Sequence, residues 1–136
     1  MSPAAIAYAL RRAFAAAPPL FEHEAQLQAI VGQHLRDALA LPDHTGPQVI
    51  AEHPLTPRSR LDFYVRHLGA ARGVAIEVKV GGSLSDLTRQ LARYAESDRI
   101  TGLLVVTTKD RHRQLPESFN GKPIAVLCLA DFTLGF

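Results

Sequence analysis

The stretch "VAIEVKVGG" at residues 74–82 decides the fold, because it is an apolar strand that carries two opposite charges in its middle and ends at two glycines. Side chains alternate between the two faces of a strand. One face therefore carries Ala75, Glu77 and Lys79. The other face carries only β-branched residues, which are Val74, Ile76, Val78 and Val80. Taken alone, this pattern is also that of an amphipathic strand whose charged face meets water and holds a weak ion pair.

Periodicity outside this strand predicts helices and strands in the order α-α-β-β-β-α-β-β. Apolar residues at helical spacing predict a helix over 21–41, after a first helix that ends at Pro18 and Pro19. A loop at 42–47 leads to two strands, "QVIAEHPL" at 48–55 and "RLDFYVRHL" at 60–68. After residues 74–80, Ser83 and Asp86 form a capping box for a helix over 83–97. The strands "ITGLLVVTT" at 100–108 and "PIAVLCL" at 123–129 complete an α/β domain with a mixed sheet between helices.

Length and composition restrict the class of protein. The 136 residues predict a single domain over 1–136, with an N-terminal helix at 1–19 and a core at 20–130. The single cysteine, Cys128, excludes an intrachain disulfide, a four-cysteine zinc site and an iron–sulfur cluster. It predicts a reducing, cytoplasmic location. No apolar run reaches the roughly 18 residues of a membrane span, so a membrane partner is not expected. "HEAQL" begins like a zinc-protease helix, but Leu27 replaces the second histidine.

The turn "GAARG" at 69–73 predicts a hairpin that brings two acids together. If the hairpin is centred between Gly69 and Ala70, Asp62 lies opposite Glu77. Like charges directly opposite each other on neighbouring strands are destabilising, and a cation between them removes that cost. Two carboxylates with a backbone carbonyl and waters suit Mg²⁺. A metal so held polarises a phosphodiester and acidifies bound water, and Lys79 at the same edge offsets charge on the phosphate.

With these residues the chain resembles the PD-(D/E)XK nuclease superfamily. The matching residues are Asp62 in "RLDFYV" and Glu77, Val78 and Lys79 in "VAIEVKV". Gln90 and Tyr94 in "QLARY" resemble the QxxxY motif of the RecB-type branch, here without its iron–sulfur cluster. Glu24, on the long helix, stands where many members carry an additional acid, and Glu52 resembles an acid often seen on the first strand. Leu61 replaces the proline before the first acid.

The resemblance implies a restriction-endonuclease-like fold and a nuclease that hydrolyses DNA phosphodiesters with Mg²⁺ or Mn²⁺. Asp62 and Glu77 would bind the metal together with the Val78 carbonyl, and Lys79 would position the attacking water. Gln90 would hold site waters or a phosphate, and Tyr94 would lie against the substrate. Glu24 is a further candidate site residue, and Glu52 a weaker one.

Charge distribution favours DNA as the partner. Twelve of the fifteen basic residues are arginine. When the five charged candidates Glu24, Glu52, Asp62, Glu77 and Lys79 are set aside, the remainder has fourteen basic against nine acidic residues. Phosphate neutralisation supplies much of the affinity for nucleic acids, and the candidate phosphate contacts are Arg58, Arg60, Arg89 and Arg93. A homodimer or a larger DNA-processing complex stays open. Two other functions also stay open: a catalytically silent DNA-binding or assembly module, and a purely structural domain.

Overall fold

The computed structural model describes residues 1–41 and 46–132. The predicted loop at 42–47 therefore lies partly outside the described residues. Three α-helices are present: α1 (Pro3–Ala16), α2 (Glu24–Leu39) and α3 (Leu84–Ala95). The strands are β1 (Gln48–Thr56), β2 (Ser59–Arg66), β3 (Gly73–Lys79), β4 (Ile100–Thr107), β5 (Ser118–Phe119) and β6 (Lys122–Cys128). Short 3₁₀ helices cover Asp110–Gln114 and Leu129–Asp131.

The strands form one six-stranded mixed sheet in the order β1-β2-β3-β4-β6-β5. The β1–β2 and β2–β3 pairs are antiparallel hairpins, whereas β3, β4 and β6 are parallel neighbours. Parallel neighbours need a crossover connection, and α3 provides the one between β3 and β4. The α/β class and the predicted order of elements are confirmed. The structure also contains the two-residue β5, in the segment between β4 and β6 for which the sequence predicts no helix or strand.

Helices cover both faces of the sheet, so the protein has two apolar cores. One core packs α1 and α2 against Phe63, Ile76 and Val78. The other packs Leu87, Leu91 and Tyr94 of α3 against the opposite face. Sequence signals explain the helix limits: Ser2 caps α1, which stops just before Pro18, and the Ser83 hydroxyl accepts the Asp86 N–H to begin α3.

The second face of β3 is dry, which corrects one of the sequence-based alternatives. Val74, Ile76 and Val78 face α1 and α2 as predicted, and Ala75 belongs to the core under α3. Glu77 is only 2% exposed. An amphipathic strand with a charged face in water is therefore wrong for Glu77, because α3 and its flanking segments exclude solvent from that face.

The predicted alternation in β2 fails at one residue. Regular alternation along 60–68 predicts that Leu61 shares a face with Phe63 and Val65, but Leu61 packs in the core under α3 together with Tyr64. The change of face coincides with an irregularity on the neighbouring strand, where Glu52 has a positive φ of 54°. Pairing of β1 with β2 skips the position at which Glu52 would face Asp62. The hairpin is thus distorted at the residue that carries the first candidate acid.

Within the described residues, no helix combines the length and apolar character needed to cross a membrane.

Candidate functional site

Asp62 and Glu77 lie at the end of the β2–β3 hairpin, where each carboxylate hydrogen-bonds to the other strand. Phe63 pairs with Ile76, which is the register predicted from the turn. Beyond that pair, carboxylate oxygens replace the regular ladder. Asp62 Oδ2 accepts the Val78 N–H at 2.8 Å, and Glu77 Oε1 accepts the Asp62 N–H at 3.3 Å. The two strands therefore hold both acids in place through backbone donors.

Burial makes the charged form of this pair costly. Desolvation, followed by the charge of Asp62, raises the pKa of Glu77 to about 8. The pKa of Asp62 is also raised, chiefly by burial, although the Val78 N–H and the charge of Lys79 act against the shift. Lys79 Nζ lies 3.9 Å from Glu77 Oε2. One ammonium thus offsets only part of the cost of ionising both carboxylates.

The donor set fits a hard cation that keeps part of its water. Among residues 1–41 and 46–132, no three or more histidine, cysteine or acidic side chains are grouped closely enough to hold a metal. The protein therefore offers the two carboxylates and a backbone oxygen. A strand residue directs its N–H and C=O to the same side, so the Val78 carbonyl faces the side of Asp62. Mg²⁺ accepts such partial ligation, whereas a structural zinc ion requires four ligands, usually nitrogen and sulfur.

An open cleft of about 500 Å³ gives access to Lys79. The Lys79 side chain is 26% exposed, so its ammonium links the buried carboxylates to the cleft. Glu24, the first residue of α2, also lines the cleft, and its Oε1 accepts the Val80 N–H at 3.2 Å. Its charge is among the causes that raise the pKa of Asp62. Glu24 is thus close to the acid pair, and it also fixes the end of β3.

Gln90 and Tyr94 lie on one face of α3, directed toward the carboxylates. Gln90 Nε2 donates to the Tyr94 hydroxyl at 2.8 Å, and that hydroxyl donates to the Arg60 carbonyl at 3.3 Å. Gln90 lines the cleft. Tyr94 is only 3% exposed, and burial together with the charge of Glu77 raises the pKa of its hydroxyl. Tyr94 thus connects Gln90 to β2 through a buried, neutral hydroxyl.

The side chain of Glu52 bonds to residues other than Asp62 and Glu77. Its side chain is 58% exposed and accepts from Gln28 Nε2 at 3.1 Å and from Arg60 at 3.4 Å. It lines a shallow depression beside α2, on the other face of the sheet from α3. Glu52 therefore acts on the shape of the hairpin, through its positive φ, and the carboxylate pair is formed without it.

The four candidate arginines divide into two groups. Arg60 pairs with Glu52, and Arg89 pairs with Asp86 on the same helix. Arg58 and Arg93 are exposed, and neither guanidinium forms an ion pair with any acid in the part of the chain that the structure describes. Arg93 lines the cleft. These two side chains are therefore free to take a phosphate.

No motif in the sequence predicts the buried histidine network beside the cleft. His112 is fully buried in the 3₁₀ helix after β4, with Nε2 3.1 Å from the Gly82 carbonyl and Nδ1 2.6 Å from Thr107 Oγ1. Because a carbonyl only accepts, Nε2 carries the proton and Nδ1 accepts from the Thr107 hydroxyl. Burial lowers the pKa of His112, in agreement with this neutral form. The network ties the Gly82 wall of the cleft to the end of β4.

Comparison of the chain with protein-family models, with curated proteins and with solved structures gives no match.

Proposed function

We propose that this protein is a Mg²⁺- or Mn²⁺-dependent nuclease that hydrolyses phosphodiester bonds in DNA, with the restriction-endonuclease-like fold of the PD-(D/E)XK enzymes. One observation carries the proposal: Asp62 and Glu77 form a desolvated acid pair at a hairpin end, with Lys79 beside them at the entrance of an open cleft. Destabilising pairs of this kind are typical of functional sites.

Asp62, Glu77 and the Val78 carbonyl would hold the cation. When bound, Mg²⁺ or Mn²⁺ supplies Lewis-acid polarisation of the phosphate and lowers the pKa of bound water. The desolvated pair fits this role, because a divalent cation would offset the two negative charges that Lys79 offsets only in part. The backbone donors at Asp62 and Val78 keep both acids oriented before any cation arrives.

Lys79 would act on the substrate side of the pair. Its ammonium reaches the cleft, where it would orient the nucleophile and stabilise charge that grows on the phosphate. Gln90 presents its side chain to the same cleft and would hold a water or a phosphate oxygen. Tyr94 has a positioning role, because its hydroxyl connects Gln90 to the Arg60 carbonyl, two residues before Asp62.

The deciding experiment is a cleavage assay of wild type and Asp62→Asn. The substrates are linear duplex, nicked, single-stranded and four-way-junction DNA, each with Mg²⁺, Mn²⁺ or EDTA. We expect metal-dependent cleavage by wild type and none by Asp62→Asn, with DNA binding retained by the variant. Because burial disfavours the ionised form of Asp62, the metal-free stability of the variant should equal or exceed that of wild type. Cleavage by purified Asp62→Asn at the wild-type rate would remove Asp62 from the site.

A catalytically silent DNA-binding or assembly module is the second candidate. It predicts DNA binding by wild type without cleavage of any of these substrates under any metal condition.

A further inference from the structure

A second concave surface lies beside the cleft, between the tip of the β1–β2 hairpin and the end of α3. This groove has a volume of about 580 Å³, and its lining includes Thr56, Arg58, Ser59, Arg93, Glu96 and Ser97. Arg93 lines both the cleft and the groove. The two surfaces therefore meet at the Arg93 guanidinium, which pairs with no acid among residues 1–41 and 46–132.

A hydrogen bond joins one wall of the groove to the strand that carries Asp62. Tyr94 forms part of its wall, and the Tyr94 hydroxyl bonds to the Arg60 carbonyl on β2. Arg60 is two residues before Asp62 on β2, so the wall of the groove is connected to the strand that carries the first carboxylate. A chain molecule whose reacting group is in the cleft would thus continue naturally into the groove.

The lining of the groove has the chemistry of a phosphate site. Arg58 and Arg93 supply two forked guanidinium groups, neither of which pairs with an acid in the described part of the chain, and Glu96 contributes an acid to the lining. Hydroxyls of Thr56, Ser59 and Ser97 add neutral donors. The hairpin tip is ordered, because Thr56 Oγ1 accepts the Arg58 N–H at 3.2 Å and lies 2.8 Å from Ser59 Oγ. Guanidinium and hydroxyl groups are common partners of nucleic-acid phosphates.

We propose that a nucleic-acid strand held in the cleft passes over Arg93 and runs through the groove, with its phosphates on Arg93 and then on Arg58. This inference builds on the proposed function, since the cleft is where the strand would react. It gives the binding surface a direction: the footprint extends from the carboxylates toward the β1–β2 tip. It also separates Arg58 and Arg93, as phosphate contacts, from Arg60 and Arg89, whose charges are taken up by Glu52 and Asp86.

The test measures DNA binding in EDTA at a series of salt concentrations. Fluorescence anisotropy of a fluorescein-labelled 24-base-pair duplex reports the binding. Each lost duplex phosphate contact lowers the slope of log K against log salt by about 0.9. We expect Arg58→Gln and Arg93→Gln each to show that decrease, and Arg60→Gln and Arg89→Gln to keep the wild-type slope. Arg12→Gln is the matched control, because Arg12 is exposed on α1, across the sheet from α3.

Site-directed crosslinking tests the direction of the strand. Cys128 is 1% exposed, so Ser59→Cys introduces the accessible thiol. DNA carrying a thiol-reactive tether at one phosphate at a time should crosslink on one side of the cleavage position only, whereas Arg12→Cys should show no positional preference. Wild-type salt slopes in both Arg58→Gln and Arg93→Gln, or equal crosslinking on both sides, would overturn the groove assignment even if wild type cleaves DNA. DNA binding that depends on these arginines without any cleavage would support the groove and contradict the nuclease.

Discussion

At the scale of single residues, the buried carboxylate of Glu77 makes stability depend on pH in an unusual direction. Its pKa is about 8 in the folded protein against an ordinary 4.5, so between these values the folded state keeps a proton that the unfolded state has lost. The free energy of unfolding of the metal-free protein should therefore fall as pH rises from 5 to 8. The raised pKa of Asp62 acts in the same direction.

The expected loss is on the order of a few kcal/mol, since each pKa unit corresponds to about 1.4 kcal/mol. Urea unfolding in EDTA at several pH values measures it, and Glu77→Gln should flatten most of the slope. Glu96→Gln is a suitable control, because Glu96 is exposed. A wild-type stability that increases over this range would contradict the burial of an acid at residue 77.

Substitution of Lys79 distinguishes a role in an ion pair from a role in catalysis. If its contact with Glu77 were only an ion pair, Lys79→Ala would lower the stability of the protein and would leave turnover intact. Loss of a preorganised electrostatic contact instead lowers the rate about 10²–10³-fold. We expect that decrease in single-turnover cleavage, with little change in metal or DNA binding. Lys79→Arg should restore activity only in part, since a planar fork does not replace a point charge. A rate for Lys79→Ala within threefold of wild type would exclude the catalytic role.

At the scale of elements, the sequence predicted the register of the β2–β3 hairpin but not how neighbouring elements pack on it. The register followed from a short turn, and an alternating pattern gave β3 its two faces. The position of Leu61 was not predictable, because it accompanies a positive φ at Glu52, a residue type that rarely adopts that conformation. The burial of Glu77 depends on how α3 lies over the sheet, which local pattern does not encode.

The His112 network shows the same limit and yields a prediction. Thr107 and His112 are five residues apart across a strand end and a 3₁₀ helix, so no periodicity connects them. Thr107→Val keeps the shape but leaves His112 Nδ1 and the Lys109 N–H without their shared partner. We expect a loss of about 1–3 kcal/mol in the free energy of unfolding. Thr107→Ser, which keeps the hydroxyl, should lose less, and equal losses in the two variants would argue against the network.

At the scale of the whole molecule, the cation should act as a stabilising ligand. A ligand that binds only the folded state at 100 times its Kd adds about 2.7 kcal/mol to the free energy of unfolding. Mg²⁺ and Mn²⁺ should thus raise the melting temperature of wild type, and Glu77→Gln should respond much less. Ca²⁺ should stabilise the protein and permit DNA binding with little turnover, because its longer, more numerous bonds misalign the reacting groups. Calorimetry with each metal gives the affinities, and equal thermal shifts in wild type and Glu77→Gln would place the cation elsewhere.

The antiparallel hairpin of β2 and β3 also has a kinetic consequence. Its strands are neighbours in the chain, whereas the parallel pairs β3–β4 and β4–β6 join segments that are farther apart. Local pairs close at a lower entropic cost than distant ones. The two acids are therefore brought together by an inexpensive loop closure, before α3 has to be in place to bury them. We expect the repulsion between the two acids to slow an early folding step, in which they still face water, and their desolvation to slow a later step. Acid or a divalent cation would therefore accelerate both steps of refolding.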